Sequence, residues 1–486
     1  MSLGAKHSEV VIIGGGLAGL TCAVTLADRG IPITLLESRP RLGGRASSFE
    51  DKQSQHLIDN CQHVSMGCCH EFNRFCETLG IADSFHREKQ LYFVGPRKPG
   101  SDLADQPFKI NRFAANRLLP APLHLLPAFG GLSYLSWQEK LGLARGLKQL
   151  ALTTVDEQNE PTIAAWLAAQ GQTQNTIDRF WNVVLVSALS ESLDRISLSH
   201  ARKVFVDGFL RARNNWQVLI PTVPLEQLYG ESILKRLQEQ DAIVYLQTGV
   251  SRVEIADNQV TRIQLRNGKN IDCQRAVIAV PHQRVLELLP ESFQGREALT
   301  SIEQLEAAPI TSVHLWFDRE ITDLPHAVFV DCLSQWMFNR TRIMQQPAET
   351  GFYYQIVISA SHNLTGKARQ GRTQADIIDT VTEELSRIWP ETKQAQLTHS
   401  RMVTEHQAVF SVKPGVEQLR PSQRTEVAGL YLAGDWTSTG WPATMEGAVR
   451  SGLQAAEFLL EDLGQPESLL LPPEKTSILS KILFRL

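Results

Sequence analysis

At 486 residues the chain exceeds what one compact core accommodates, and a quantum of roughly 150 residues per domain predicts two to three units. A net charge of −4, with 43% apolar and 21% charged residues, fits a globular protein without the broad basic surface that nucleic acid requires. Seven cysteines without a CxxC pair argue against a closed disulfide framework and for a reducing cytoplasm.

The apolar run from Val10 to Ile13 turns straight into glycines, so no signal peptide is expected. Glu9 to Ile13 reads as a strand, Gly14-Gly15-Gly16-Leu17-Ala18-Gly19 as a tight turn, and Leu20, Ala23, Val24 and Ala27 as a helix ended by Gly30. Gly14 permits the turn, Gly16 lets backbone approach a pyrophosphate, and Gly19 allows close helix–strand packing, while the helix start offers free N–H groups to the anion. A second strand, Ile31 to Leu36, ends at Glu37, whose carboxylate is placed to accept both adenosine ribose hydroxyls and disfavours a 2′-phosphate. Glycine-rich turns also arise for purely structural reasons, and this motif alone leaves NAD and FAD open.

The continuation Glu37-Ser38-Arg39-Pro40-Arg41-Leu42-Gly43-Gly44-Arg45 resembles the second glycine motif of the amine oxidase and carotenoid desaturase flavoproteins. The resemblance implies FAD and sets Arg39, Gly44 and Arg45 along the dinucleotide. Arg45, planar and permanently charged, suits a pyrophosphate or flavin edge. Asp59-Asn60-Cys61-Gln62-His63-Val64 follows, where the family brings the chain back under the flavin, so His63 is a candidate beside the reacting carbon; a hydrogen-bonded core histidine is the bland alternative. Cys61, His63, Cys68, Cys69, His70 and Cys76 are crowded, but no pair has chelating spacing, so no metal is expected. Cys61, Cys68 and Cys76 fall near a seven-residue period, which predicts a buried stripe on one helix.

The uncharged stretch Leu118 to Gln138 holds Pro120, Pro122 and Pro127 with Gly130 and Gly131, and is not a spanning helix. Arg179 to Leu189, Ala201 to Leu210 (with Asp207) and Pro221 to Tyr229 are similar to the squalene-associated desaturase branch, closest to the hydroxysqualene dehydroxylases. That resemblance covers most of residues 9 to 462. One departure is Ala408-Val409-Phe410, where an Ala-Thr-Phe is expected. The Leu, Val, Phe and Trp content of the middle suits an apolar tunnel, although ordinary helical cores read the same way.

Ala242 to Pro281 alternates short strands with turns at Asp257-Asn258 and Asn267-Gly268 and looks like the family's three-stranded meander, whose strand near Val250 meets the adenine. Gly429 to Ala433 is a strand, followed by Gly434-Asp435-Trp436 and by Trp441 to Gly452. This resembles the C-terminal FAD motif: Asp435, after Gly434, takes the phosphate–ribityl region, and Met445 starts a helix whose positive end meets the flavin and favours its reduced, anionic form. Gly464 to Glu474 reads as a linker. In the tail, Ile478, Leu479, Ile482, Leu483 and Leu486 share one helical face, flanked by Lys481 and Arg485.

The sequence therefore predicts an α/β protein: a split Rossmann-like FAD-binding domain (1–84, 229–289 and 421–463) with an inserted mixed α+β substrate domain (85–228 and 290–420) and a tail at 464–486. The first functional reading is reductive dehydroxylation of hydroxysqualene to squalene, with His63 as proton donor and Asp59 or Asp207 as alternatives. The second is a polyene desaturase or an amine oxidase; the third is a non-enzymatic flavin carrier. The partners implied are a polyisoprenoid, an unidentified electron donor and, through the tail and Leu118 to Trp137, the inner face of a membrane. Oligomeric state is left open.

Overall fold

The computed structural model describes residues 9–97, 107–156, 158–294, 297–347, 351–365 and 371–484. Its first layer is a five-stranded parallel sheet in the order Ile243–Tyr245, Ile33–Leu36, Val10–Ile13, Ala276–Ile278, Leu430–Leu432. The four strands from Ile33–Leu36 to Leu430–Leu432 are apolar and buried throughout, as a parallel sheet covered on both faces requires. Three distant stretches of chain thus build one sheet. The helix Leu17–Ala27, buried at every residue, packs against the helix Met445–Asp462. A side chain at Gly452 would come within 2.4 Å of the Ala18 carbonyl oxygen, so a bare backbone sets the spacing of the two helices.

A three-stranded antiparallel meander, Val250–Ala256, Gln259–Leu265 and Asn270–Asp272, stands beside this sheet. Asp257 and Asn258 form its first turn, both at positive φ, a conformation that short polar side chains tolerate. The second layer is a seven-stranded sheet in the order Leu397–Phe410, Ala307–Phe317, Phe352–Ser359, Trp336–Asn339, His326–Phe329, Gln90–Pro96, Phe108–Ala114. One face of it, including Val313, Leu315 and Ile356, packs on Ile377, Val381 and Leu385 of the helix Gln374–Ile388. A small sheet of Ser65–Met66, Val218–Pro221 and Phe85–Glu88 joins the two layers. The helices between Leu126 and Phe205 complete this second half of the molecule, where the sequence reading places substrate.

One expectation is corrected. Cys61, Cys68 and Cys76 are each buried, but Cys61 and Cys68 lie in irregular chain and only Cys76 is on the helix His70–Thr78, so no helical stripe forms. The end of the strand Leu57–Asp59, the short strand Ser65–Met66 and the turn at Gly67 interrupt the period there. In the tail, the helix Ile478–Phe484 turns Ser480 and Phe484 inward, against Ala151, Val206 and Leu210, while Ile478 and Ile482 face out. Leu486 lies outside the described residues. Among the described residues no helix is long and apolar enough to cross a membrane.

Two fully buried histidines sit in the seven-stranded sheet. His314 Nδ1 is 2.7 Å from the Tyr353 hydroxyl, and His326 packs between Tyr92 and Trp336. Burial pushes His314 down to about 3 and His326 to about 4. The unfolded chain takes up these protons below about pH 6.5 and the folded chain does not, so their contribution is lost as pH falls. Each site costs up to roughly 1.4 kcal/mol per pH unit below 6.5, until its own folded value is reached. Urea titrations between pH 7 and 4.5 are expected to give a shallower loss of stability for His326→Gln than for wild type. Parallel pH dependences would mean that His326 is protonated in the fold.

Candidate functional site

The site is built where the first strand runs out. Gly14 takes φ +112°, and any side chain there would meet the Ala279 carbonyl oxygen at 2.6 Å. Gly19 is forced for a similar reason, with the Gly14 carbonyl oxygen 2.1 Å from the position of a Cβ. Nothing lies within 4 Å of a Cβ position on Gly16, and this residue starts the helix Leu17–Ala27 with no side-chain cap. The first N–H groups of that helix therefore face open space lined by backbone, which is what a pyrophosphate needs. Gly44, at φ +62°, closes over the turn; a Cβ there would stand 2.9 Å from the Gly16 Cα.

Glu37 is buried at the end of the second strand. Its Oε2 accepts the Gly15 N–H at 2.7 Å and its Oε1 the Arg39 N–H at 2.7 Å. Oε1 also accepts the Ser38 hydroxyl at 3.2 Å, so of a carboxylate's roughly four acceptor positions one remains for a ribose hydroxyl, and a second is freed if the Ser38 hydroxyl rotates away. The chain entering the strand at Val250 runs alongside: Thr248 N–H donates to the Glu37 carbonyl (2.8 Å) and Gln247 N–H to the Arg39 carbonyl (3.0 Å). The Arg39 guanidinium is exposed, 3.5 Å from the Gly44 carbonyl.

Arg45 reaches across to the far end of the chain. Its Nη2 donates to Asp435 Oδ1 at 2.6 Å, and its Nη1 donates at 2.6 Å to the carbonyl of Ala408, in the segment where a threonine was expected one residue later. Asp435 is buried, and Gly434 precedes it with space for nothing but hydrogen, because a Cβ would stand 2.1 Å from the Trp436 ring nitrogen. Beyond it, Thr444 caps the helix Met445–Asp462 by accepting the Gly447 N–H at 3.1 Å. Met445 turns its sulfur toward the Tyr229 hydroxyl at 3.7 Å, leaving its backbone at the helix start. The N-terminal glycine motifs and the C-terminal motif thus meet in one cradle.

The Asp59–His63 segment lies against the same place. Asn60 donates from its backbone N–H to the Ser47 carbonyl (2.9 Å) and from Nδ2 to the Arg45 carbonyl (3.4 Å). His63 Nδ1 is 3.0 Å from the Cys61 carbonyl, so Nδ1 carries a hydrogen and Nε2 is the nitrogen that exchanges. Burial lowers the His63 imidazole below its ordinary value. Asp59 is placed differently from a free acid: Oδ1 accepts the Ser48 hydroxyl (2.7 Å) and Leu225 N–H (3.0 Å), and Oδ2 accepts Arg340 Nη2 (3.0 Å). Asp207 holds Lys203 and Arg211, each at 2.9 Å, and among the described residues no hydrogen bond or ion pair joins it to His63.

Sequence reading missed Arg340 and Glu446. Nothing around Arg340 in the sequence marks it, because its partners lie 278 and 281 residues away. Glu446, inside a quoted motif, caps a second helix by accepting the N–H groups of Glu71 (3.3 Å) and Phe72 (2.8 Å). Burial pushes its carboxyl up to about 7. The residues present fit FAD, with the cradle for the dinucleotide and the Met445 helix start for the ring. Replacing Glu37 by alanine removes charge-assisted hydrogen bonds of about 1.5–3 kcal/mol each. Dialysed Glu37→Ala protein is expected to lose its 450 nm absorbance, and stoichiometric FAD at wild-type affinity would contradict this placement.

Comparison with known proteins agrees with the cradle. Residues 17–460 match the family described as flavin containing amine oxidoreductase. The chain is 28% identical over 475 residues to a 15-cis-phytoene desaturase of an Oncidium hybrid cultivar, covering 94% of this chain and 78% of that protein. It is 26% identical over 475 residues to the 15-cis-phytoene desaturase of Synechococcus elongatus, covering 93% and 96%. Among solved structures, an oxidoreductase from Methanosarcina mazei superposes with a TM-score of 0.68 at 14% identity, covering 93% and 99%. The cyclohexylamine oxidase of Brevibacterium oxydans gives 0.68 at 17% identity, covering 94% and 99%. The chain belongs to the flavin-containing amine oxidoreductase family, and FAD is its cofactor.

Proposed function

We propose that this FAD-dependent oxidoreductase acts on a long polyisoprenoid, and that its reaction is the reductive dehydroxylation of hydroxysqualene to squalene. The observation that carries the reading is His63, whose Nδ1 is tied to the Cys61 carbonyl beside the cofactor cradle while no hydrogen bond engages Nε2 among the described residues. When bound and reduced, FAD supplies a hydride. His63 Nε2–H gives a proton to the allylic hydroxyl, which leaves as water as the carbon–oxygen bond breaks, and the hydride that reduced FAD would supply takes its place on that carbon. Asp59 and Asp207, committed to ion pairs, are poorer donors.

The substrate side suits such a chain. Phe93, Phe113, Phe129, Phe180, Phe205 and Phe209 pass ring to ring at 5.3–5.9 Å through it, a continuous apolar wall without a charged group among them. An amine substrate would need an aromatic wall free for its cation, whereas the Trp441 ring already carries the Lys203 ammonium at 4.4 Å. The relatives named phytoene desaturase favour a second reading, oxidation of a polyene by the same cofactor.

Protonation by His63 makes the rate fall as pH rises. Its imidazole titrates below about 6.5, so the acid form is already a minority at pH 7 and shrinks about tenfold per further unit. Single-turnover reoxidation of the reduced enzyme by hydroxysqualene is expected to slow accordingly, and His63→Gln to keep its FAD while losing about 100-fold and the pH dependence. Oxidised enzyme offered phytoene, with products identified by mass spectrometry, tests the second reading. Unchanged rates in His63→Gln would return His63 to a packing role.

A peripheral place on the membrane belongs to the same proposal. Ser477 Oγ donates to the Ala121 carbonyl at 2.8 Å, and the tail helix lies on the helix Trp137–Leu152, so the two apolar segments are neighbours. Leu118 (92% exposed), Trp137 (71%), Ile478 (79%) and Ile482 (70%) stand out there with Arg145, Lys148 and Lys481 exposed nearby in sequence. A C30 alcohol partitions into bilayers, because each buried CH2 contributes about 0.8 kcal/mol, and an entrance at the interface spares it passage through water. Full-length protein is expected to sediment with anionic vesicles and a version ending at Pro473 to do so less. If neither binds, the surface is not a membrane contact.

A further inference from the structure

Arg340 is 2% exposed and is the first residue after the strand Trp336–Asn339, on the substrate side of the molecule. Its guanidinium points the other way, into the cofactor side. Nη2 donates to Asp59 Oδ2 at 3.0 Å and to the Met344 sulfur at 3.2 Å; Nη1 donates to Gln62 Oε1 at 2.8 Å and to the Pro221 carbonyl at 3.3 Å. Gln62 in turn donates from Nε2 to the His63 carbonyl at 3.2 Å.

The three oxygen acceptors bracket His63. Asp59 ends the strand Leu57–Asp59, and Gln62 is the residue immediately before the histidine. Pro221 ends the strand Val218–Pro221, which pairs with Ser65–Met66 on the other side of His63, Ser65 facing Leu219 and Met66 facing Val218. One side chain therefore fixes the chain before His63 and, through the paired strand, the chain after it. Asn60, between the two contacts, is bound to the Arg45 carbonyl, so the fixed segment is also held against the cradle. A rigid fork that is charged at every working pH suits this task; a lysine supplies one point of attachment where the guanidinium supplies several.

We propose that Arg340 is the positioning residue for His63, setting from the substrate side where its Nε2 stands relative to the flavin. The proposal rests on the role given to His63 above. Arg340 touches neither a dinucleotide motif nor the reacting carbon, so it acts through the segment it holds. Truncating it leaves the Asp59 carboxylate buried with two neutral donors and releases Gln62, and the histidine loses its fixed place while the cradle stays intact.

The test uses full-length holoenzyme as wild type, R340K, R340Q, H63Q and the double variant R340Q/H63Q. Two readouts need no substrate: FAD content, and the visible circular dichroism of the bound flavin. The third is single-turnover reoxidation by hydroxysqualene from pH 5.5 to 8.5. R340Q is expected to keep FAD, to change the flavin dichroism in the direction of H63Q, and to slow reoxidation about 100-fold with its pH dependence flattened. R340K is expected to recover about tenfold of that loss. Added to H63Q, the R340Q change is expected to cost less than about threefold more, because both act on one step.

Wild-type dichroism in R340Q overturns the proposal whatever the substrate is. So does a full 100-fold loss on top of H63Q, or loss of FAD from both R340K and R340Q, each of which makes Arg340 a residue of the fold alone. If wild-type enzyme does not turn over hydroxysqualene, the reading of the reaction fails, and the dichroism of R340Q and H63Q still decides the positioning.

Discussion

The ion pair between Arg45 Nη2 and Asp435 Oδ1, 2.6 Å long, joins residues 390 positions apart and closes the cofactor cradle. Everything else in the site is arranged around that closure. Arg45 reaches Asp435 because Gly43 and Gly44 turn the chain back over Gly16, and because the parallel strands Val10–Ile13 and Leu430–Leu432 finish at the same end of the sheet. A cofactor lying in this cradle is held by two ends of one chain, so its binding and the assembly of the sheet are one event.

Several buried charges in this protein are paired with an opposite charge. Arg340 has Asp59, and Arg420 has Glu417 and the Asp435 carbonyl. Glu71 has Arg74 at 2.7 Å and the Leu471 N–H at 2.6 Å. Such pairs contribute little net stability, because removing two ions from water costs nearly what their attraction returns. Their consequence is uniqueness of placement: an unpaired member is so costly that the loops carrying the partners have one arrangement. That is why the Asp59–His63 segment, which has little regular structure, is nevertheless held from several directions. Glu446 is the partial exception. Its neighbours include another acid, and burial raises its carboxyl to about 7, one residue into the helix Met445–Asp462.

The substrate side obeys a different rule. Beside ion pairs such as Arg179–Asp331, it holds a run of aromatic rings packed edge and face against one another. The tail extends this apolar system to the surface. Glu474 binds His70 and Asn215, and Ser480 donates to the Leu210 carbonyl, so the segment after the helix Met445–Asp462 is strapped across both layers before it presents Ile478 and Ile482 outward.

Local rules made the cradle legible in advance. A strand, a glycine turn, a helix and an acid at the end of the next strand are set by periodicity and by backbone freedom within some thirty residues, and the corresponding motif near Asp435 reads the same way. The sequence by itself therefore determined the parallel sheet and the meeting of its glycine turns, Glu37, Arg45 and Asp435 in one place. It did not determine what a given side chain faces. Asp59 reads as a free acid until Arg340 is seen against it, Cys61, Cys68 and Cys76 read as one stripe until the chain between them is seen to bend, and the tail face reads as uniform until Leu483 is seen half-buried against the Ala151 cluster while Ile478 and Ile482 stay exposed. The tertiary structure decided those, because the state of a carboxylate, a thiol or an apolar side chain depends on its neighbours in space, and here those neighbours come from hundreds of residues away.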